Sequence, residues 1–539
     1  MFLLFRAALI LLPVFVLSTA ATAAEPLHVE IDRLIEAKFA GRSPAEQTDD
    51  TAFLRRIWLD LAGRIPSTTE TRQFLADTSP DKRQKLIDQL LAAPSRVDRL
   101  ENLFHVMLQE RRGDNEEWQK FLRTSFEQNK PWNQMVREIL NPNDQDENLR
   151  GSAFFYTSRL KPYGQNATDW EGLTRDVGRL FLGVDLQCAE CHNHLFVDDY
   201  KQVEFQGLFA VFRNLTVRGG VKFPAINQQA MTEQLEFVSV FDPAQRQTGP
   251  RVPFMKEFPV PPLPEATDGK PAPKKKLTPA DIGFDPLALL ATDLPVAEND
   301  LFVRNIVNRL WFAMMGRGLV MPLDLFHSGN PASHPELLDL LAREFAAHQF
   351  DMNWFLRELA LTRTYQRSSQ LPAGTEMAPP AADFLVGIEK RLSAEQLLES
   401  VLEATGNAAR LKQPQADGKP NEEYTKLLKQ FQAAFANEER EPEVDFNASV
   451  KAALFLLNDD DVLNLLKPVE TNLAARLAKI DDPRQLMDEL FLSVLVRLPA
   501  EEERTAVLAY LEQNSSRRDV ALGHVLWGML SSIEFCVNH

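Results

Sequence analysis

Residues Ser79 to Pro94 read SPDKRQKLIDQLLAAP, and their spacing sets the pattern for most of the chain. Leu86, Ile87, Leu90 and Leu91 recur at the three- and four-residue intervals that gather side chains on one face of an α-helix. Ser79 is placed to cap that helix, Pro80 suits a first turn that needs no amide donor, and Pro94 stops it. The same periodicity runs from about Glu25 to Asn214 and predicts a helical N-terminal domain over 25–214. Within it WEGLTRDVGRLFLGVDL, Trp170 to Leu186, is a further helix that delivers the chain to Cys188.

Beyond Asn214 the composition changes. LTVRGGVKFPAI, LEFVSVF and RVPFMKEFPVPP are rich in Val, Phe and Pro, and predict short strands in a small β-rich insert over 215–264. A Pro- and Lys-rich linker follows at 265–282, and the helical pattern resumes in a C-terminal domain over 283–539. In LSAEQLLESVLEATG, Ser393 and Gln396 form a capping box and Gly406 ends the helix. In PASHPELLDLLAREFAAHQF, Ser333 and Glu336 have the same spacing, which puts His334 in the first turn. There the helix dipole disfavours the imidazolium and leaves the neutral ring that can bind a metal. The expected fold is mainly α, two helical domains with a small β-rich insert between them.

Lys and Arg number 59 against 76 Asp and Glu, a formal net charge of -17 that argues against a nucleic-acid backbone as partner. Residues 1–24, MFLLFRAALILLPVFVLSTAATAA, read as a cleaved secretory signal peptide, an uncleaved anchor being the alternative. No other stretch approaches the length of a membrane span, so the expected product is periplasmic or secreted, with no span after cleavage. Such a compartment permits disulfides and is where c-type haem is attached. Three cysteines are too few for a disulfide scaffold, and Cys536 suits a buried apolar site.

The other two cysteines stand in a cluster. Cys188-Ala189-Glu190-Cys191-His192 has the C-x-x-C-H spacing of covalent haem attachment, in which two thiols reach the two vinyl groups of one porphyrin and the next imidazole sits beneath the iron. Phe196, Phe205, Leu208, Phe209 and Phe212 downstream suit either a haem wall or ordinary core. A bare Zn or Fe ion could instead take Cys188, Cys191, His192 and His194, although adjacent Cys191 and His192 do not easily point at one ion. A disulfide or thiol pair with both histidines hydrogen-bonded in packing is the third reading. Either metal site needs a distant ligand, for which His334 is the first candidate, followed by His539, His327, Met314 and Met315. The glycine- and proline-rich GRGLVMPLDLFHSGNPASHPE, with Asp324 and Asn330, must be irregular chain of the kind that often carries function. Nucleophile-elbow, zincin, P-loop and dinucleotide signatures do not occur. The acidic runs Asp198-Asp199 and Asp459-Asp460-Asp461 read as solvated loops or helix caps.

FLRRIWLDLAGRIPSTTETRQFLADTSPDKRQKLIDQLLAAP and FLGVDLQCAECHNHLF resemble the secreted planctomycete-type cytochrome-like family known as domain of unknown function 1549. FVRNIVNRLWFAMMGRGLVMPLDLFHSGNPASHPELLDLLAREF, LTRTYQRSS, RLSAEQLLESVLEATG and LWGMLSSIEFCVNH resemble its C-terminal companion, domain of unknown function 1553. The resemblance implies a bacterial exported protein and raises haem c as cofactor, but implies no activity. Leu195 stands where the family pattern C-H-x-H-P has proline. The leading expectation is a redox or electron-transfer protein that meets a redox partner protein. The alternative is a non-haem, metal-stabilised interaction or polymer-processing accessory protein.

Overall fold

The apolar stripe of the opening stretch forms a helix over Lys82–Ala92 that buries Leu86, Ile87, Leu90 and Leu91. It starts later than the expected cap, because Asp77 accepts hydrogen bonds from the backbone N and Oγ of Ser79, which turns the chain first. Asp81 then stands at the N-cap. Pro94 both ends this helix and opens the next, Pro94–Gln109, where its missing amide costs nothing.

In this computed structural model the described residues are 25–165, 167–262, 277–372, 374, 377–415, 418–443, 450–469 and 471–539. The expected signal peptide and most of the expected linker lie outside them. The fold is mainly α, 54% helical, with two-stranded sheets as its only sheets among the described residues. Leu215–Val217 pairs antiparallel with Ile226–Gln228, and Leu235–Ser239 pairs antiparallel with Asp242–Thr248. The third pair joins Lys390–Arg391 to Val537–Asn538, close to the C-terminus. No helix among the described residues is long and apolar enough to cross a membrane.

Two helix starts in the C-terminal half differ from each other. Ser393 and Gln396 make the expected capping box on Ala394–Thr405, which ends at Gly406 with φ 72°. The second box does not form: the helix is Pro335–Ala347, and His334 itself stands at the N-cap without a side-chain cap bond. Pro335 at the first position moves the start one residue beyond the expected one.

The helical regions on either side of the strands meet along one continuous apolar core. Leu27–Glu36, the first described helix, packs on Pro335–Ala347 and Met352–Leu361, while Asp50–Ala62 packs on the strand Val537–Asn538. Asp50–Ala62 is buried from Phe53 to Ala62, charged residues included, because it receives the end of the chain. Arg55 Nη2 donates to the carbonyls of Phe535 at 2.7 Å, Glu534 at 3.2 Å and Val537 at 3.3 Å. Arg56 donates to the carbonyls of Tyr365, Arg367 and His539. One turn on, the Asp60 carboxylate accepts from Lys390 Nζ at 2.6 and 2.8 Å, Tyr365 Oη at 2.8 Å and Asn538 Nδ2 at 2.9 Å. Lys390 also donates to the carbonyls of Ala313 and Met314, so its ammonium is fully satisfied.

Removing one partner from a buried ion pair leaves the other charge without compensation. Asp60→Ala is therefore expected to lower unfolding free energy by about 3–5 kcal/mol, measured by urea denaturation. Lys390→Met in the same background should recover part of the loss.

Candidate functional site

The cysteine–histidine cluster sits on the surface and is held from below. Leu186 and Ala189 are buried, whereas Cys188, which opens a single 3-10 turn over Cys188–Glu190, and Cys191, which follows it, are exposed free thiols. The helix Gln202–Phe212 supports the turn from inside. Gln206 Nε2 donates to the Glu190 carbonyl at 2.8 Å, and the backbone N of Gln202 donates to Asn193 Oδ1 at 2.9 Å. From the strand side, Val240 N donates to the Cys191 carbonyl at 3.1 Å.

The two histidines of the cluster have different environments. His192 Nδ1 lies 2.6 Å from the Asn193 carbonyl, which can only accept, so the proton sits on Nδ1 and Nε2 keeps its lone pair. Its ring lies 4.7 Å, centroid to centroid, from Phe241. His194 Nδ1 instead accepts from the backbone N of Phe196 at 3.1 Å and Val197 at 2.9 Å, which places its proton on Nε2. Its lone pair is spent on the turn that Leu195 occupies, and no ligand pair of His192 with His194 is formed. Around the thiols Leu195, Phe196, Val240 and Phe241 are exposed, Phe196 at 91% and Phe241 at 69%. Phe205, Leu208 and Phe212 are core, so the expected apolar wall divides between interior and surface.

His334 is not brought to this cluster. It is buried, its Nδ1 lies 3.2 Å from Ser333 Oγ, its ring meets Phe384 at 5.7 Å, and its Nε2 is without a hydrogen-bond partner. Burial, reinforced by nearby Lys38, pushes its pKa down from 6.5 to about 4. The ring is neutral as expected, but desolvation rather than a first-turn position is the main cause. His539 lies at the Arg56 contact, and Met314 and Met315 are buried in the core. His327 meets Tyr200 edge to face at 5.7 Å, and Tyr200 meets His194 at 6.0 Å. Among the described residues no group of three or more His, Cys, Asp or Glu could hold a metal ion.

Sequence reasoning missed a buried chain of charges beneath the cluster. Arg179, on the turn Gly178–Leu182 that leads to it, binds Glu110 through both Nη atoms at 2.5 and 2.7 Å, and also pairs with Asp176 and Asp324. Arg112 bridges Glu110 and Asp176 at 2.8 Å each, Arg159 binds Asp176 at 2.8 Å, and Arg309 binds Asp324. Burial pushes the Asp176 carboxyl up, but Arg159, Arg112 and Arg179 outweigh it and hold it below the usual range. Gly183 closes the turn at φ 70°, where a Cβ would come within 2.7 Å of Phe326 and 2.9 Å of Asn305. The irregular segment after Gly316 is thereby tied to the cluster: Phe326 N donates to the Gly183 carbonyl, and Ser328 donates to Asp199. Asp324 and Asn330 both serve this segment's packing, Asn330 by donating to the Met321 and Leu325 carbonyls.

Residues 30–217 match PSCyt2, described as a protein of unknown function (DUF1549), and residues 288–511 match PSD1, described as a protein of unknown function (DUF1553). No curated protein and no solved structure matches the chain.

A histidine held at about 4 when folded and 6.5 when unfolded binds its proton first in the unfolded chain. His334 therefore costs no stability above pH 6.5 and destabilises the fold as pH falls from there towards 4, by about 3 kcal/mol in full. Urea midpoints between pH 7 and pH 4 should fall less steeply in His334→Gln than in the unaltered protein.

Proposed function

This chain belongs to the family that joins DUF1549 to DUF1553, and from that premise we propose that it is an exported, periplasmic or secreted protein that carries c-type haem and serves in redox or electron transfer. The observation that carries the reading is the set of groups at the cluster. Two free, exposed thiols at C-x-x-C spacing stand beside an imidazole whose Nε2 lone pair is unengaged. This donor set fits the group: Cys188 and Cys191 would hold it through thioether links, and His192 would supply a nitrogen ligand to its iron. When bound, haem supplies one-electron exchange at its iron.

The chain's own residues do the rest. The Asn193 carbonyl holds His192 in the tautomer that ligates through Nε2 and fixes the direction of its ring. Gln202 and Gln206 pin the turn so that both thiols face outward. Leu195, Phe196, Val240 and Phe241 form an exposed apolar collar that a porphyrin face, and beyond it a redox partner protein, would cover. In the same reading the matched regions are two helical domains that share a core, with the paired strands as an insert between them. His194 weighs against the alternative of a non-haem Zn or Fe site, because its lone pair already accepts two backbone donors.

Protein matured in a host with haem-attachment machinery is expected to show a Soret band that stays with the polypeptide after denaturation. The double variant Cys188→Ser, Cys191→Ser should lose it entirely, and His192→Ala should keep attached porphyrin with an altered iron spin state. Colourless protein with two titratable thiols overturns the reading. Stoichiometric zinc or iron without porphyrin, lost in Cys191→Ser, would install the alternative.

A further inference from the structure

Away from the cluster, a cavity of about 320 Å³ lies where the helix Pro94–Gln109 meets the helix Asp300–Met315, the strand Lys390–Arg391 and the tail at Asn538. Its volume is in the range that suits a small molecule. Arg99, Asn102, Leu103 and Val106 reach it from one helix, at the spacing that puts them on a single face. Met107, Phe312 and Leu323 add apolar lining, and the exposed Glu389 and Arg391 mark the mouth.

The carboxylates inside are already occupied. Asp60 is held by Lys390, Tyr365 and Asn538; Glu110 by Arg179 and Arg112; and Glu443 by Arg111. Arg99 is the exception among the cations, since its Nε donates to the Asp60 carbonyl at 3.3 Å and it pairs with no carboxylate. Its Nη1 and Nη2 have no partner among the described residues. Burial lowers its pKa, and the nearby Asp60 and Glu395 carboxylates offset only part of that without pairing with it directly. Arg309 also lines the cavity with Nη1 unpartnered, its Nε and Nη2 being taken by Asn305, Arg179 and Asp324. The Asn102 amide has no hydrogen-bond partner among the described residues.

Guanidinium Nη donors left unengaged at a cavity that also has an apolar side can take up an anion. We propose that this cavity binds a small organic anion, a carboxylate on an apolar body, with Arg99 and Arg309 taking the charge, Asn102 a further hydrogen bond, and Leu103, Val106 and Met107 the apolar part. The site lies between the two matched family regions and is built by both. It is independent of the cluster and of any haem there.

Calorimetric titration of the full chain with benzoate and hexanoate, against benzamide and hexanamide, tests the assignment. Both carboxylates should bind and raise Tm with concentration, the neutral amides should not, and Arg99→Gln should weaken benzoate binding about tenfold or more. Phenyl phosphate replaces benzoate as the tighter ligand if the anion is a phosphate ester, which corrects the head group and keeps the site. If Arg99→Gln fails to fold, Val106→Trp, which fills the apolar end, should abolish benzoate binding in protein of unchanged Tm. Equal binding of amide and acid, unaltered benzoate affinity in either folded variant, or no binding of benzoate, hexanoate and phenyl phosphate overturns the proposal.

Discussion

The carboxylate of Asp60 is where the chain closes on itself. Its partners Tyr365, Lys390 and Asn538 stand 305, 330 and 478 positions away along the chain, and all three reach one buried group. A buried carboxylate is costly unless its hydrogen-bonding capacity is filled, so the helix Asp50–Ala62 is satisfied only when the C-terminal half and the last residues are in place. Arg55 and Arg56 extend the constraint by collecting backbone carbonyls of the tail. The apolar core spreads across both halves, and non-directional burial alone would tolerate several arrangements of the helices. The directional bonds around Asp60 select one.

A second set of buried charges performs the same service for the surface cluster. Arg179 faces Glu110, Asp176 and Asp324, and the carbonyl of Gly183, at the end of its turn, receives Phe326 N. The turn carrying Cys188 and Cys191 thus emerges from a rigid base, not from a free loop. Gln202, Gln206 and Val240 then set its outward orientation. Precision at an exposed site requires a base whose own groups are locked, and here the ion pairs of Arg179 join the buried Leu182, Leu186 and Ala189 in that lock.

The two places where chemistry is available differ in kind. At the cluster, thiols and an imidazole lone pair are exposed among apolar side chains, an arrangement open to a large flat partner. In the cavity, Arg99 and Arg309 present guanidinium Nη atoms that no described residue engages. Burial makes the difference: desolvation strengthens an enclosed charge's demand for a counter-charge, whereas the exposed thiols can meet a ligand as large as a porphyrin.

Much of the local structure was legible in the sequence, because helix stripes and caps depend on residues three or four positions apart. The Leu86–Leu91 stripe, the Ser393–Gln396 box with Gly406, and the C-x-x-C-H spacing are all of this kind. Local rules also misled where two competed: Pro335 took the first helical position and left His334, not Ser333, at the N-cap. The environments of His192 and His194, two residues apart, depend on which backbone groups each ring meets, and no pattern encodes that. Arg99, Glu110, Asp176 and Arg179 look in sequence like an ordinary solvated helix surface. The ion pairs of Glu110, Asp176 and Arg179, and the cavity that Arg99 and Glu110 line, were decided only by tertiary structure, because a buried charge is defined by partners that the chain brings together from far apart.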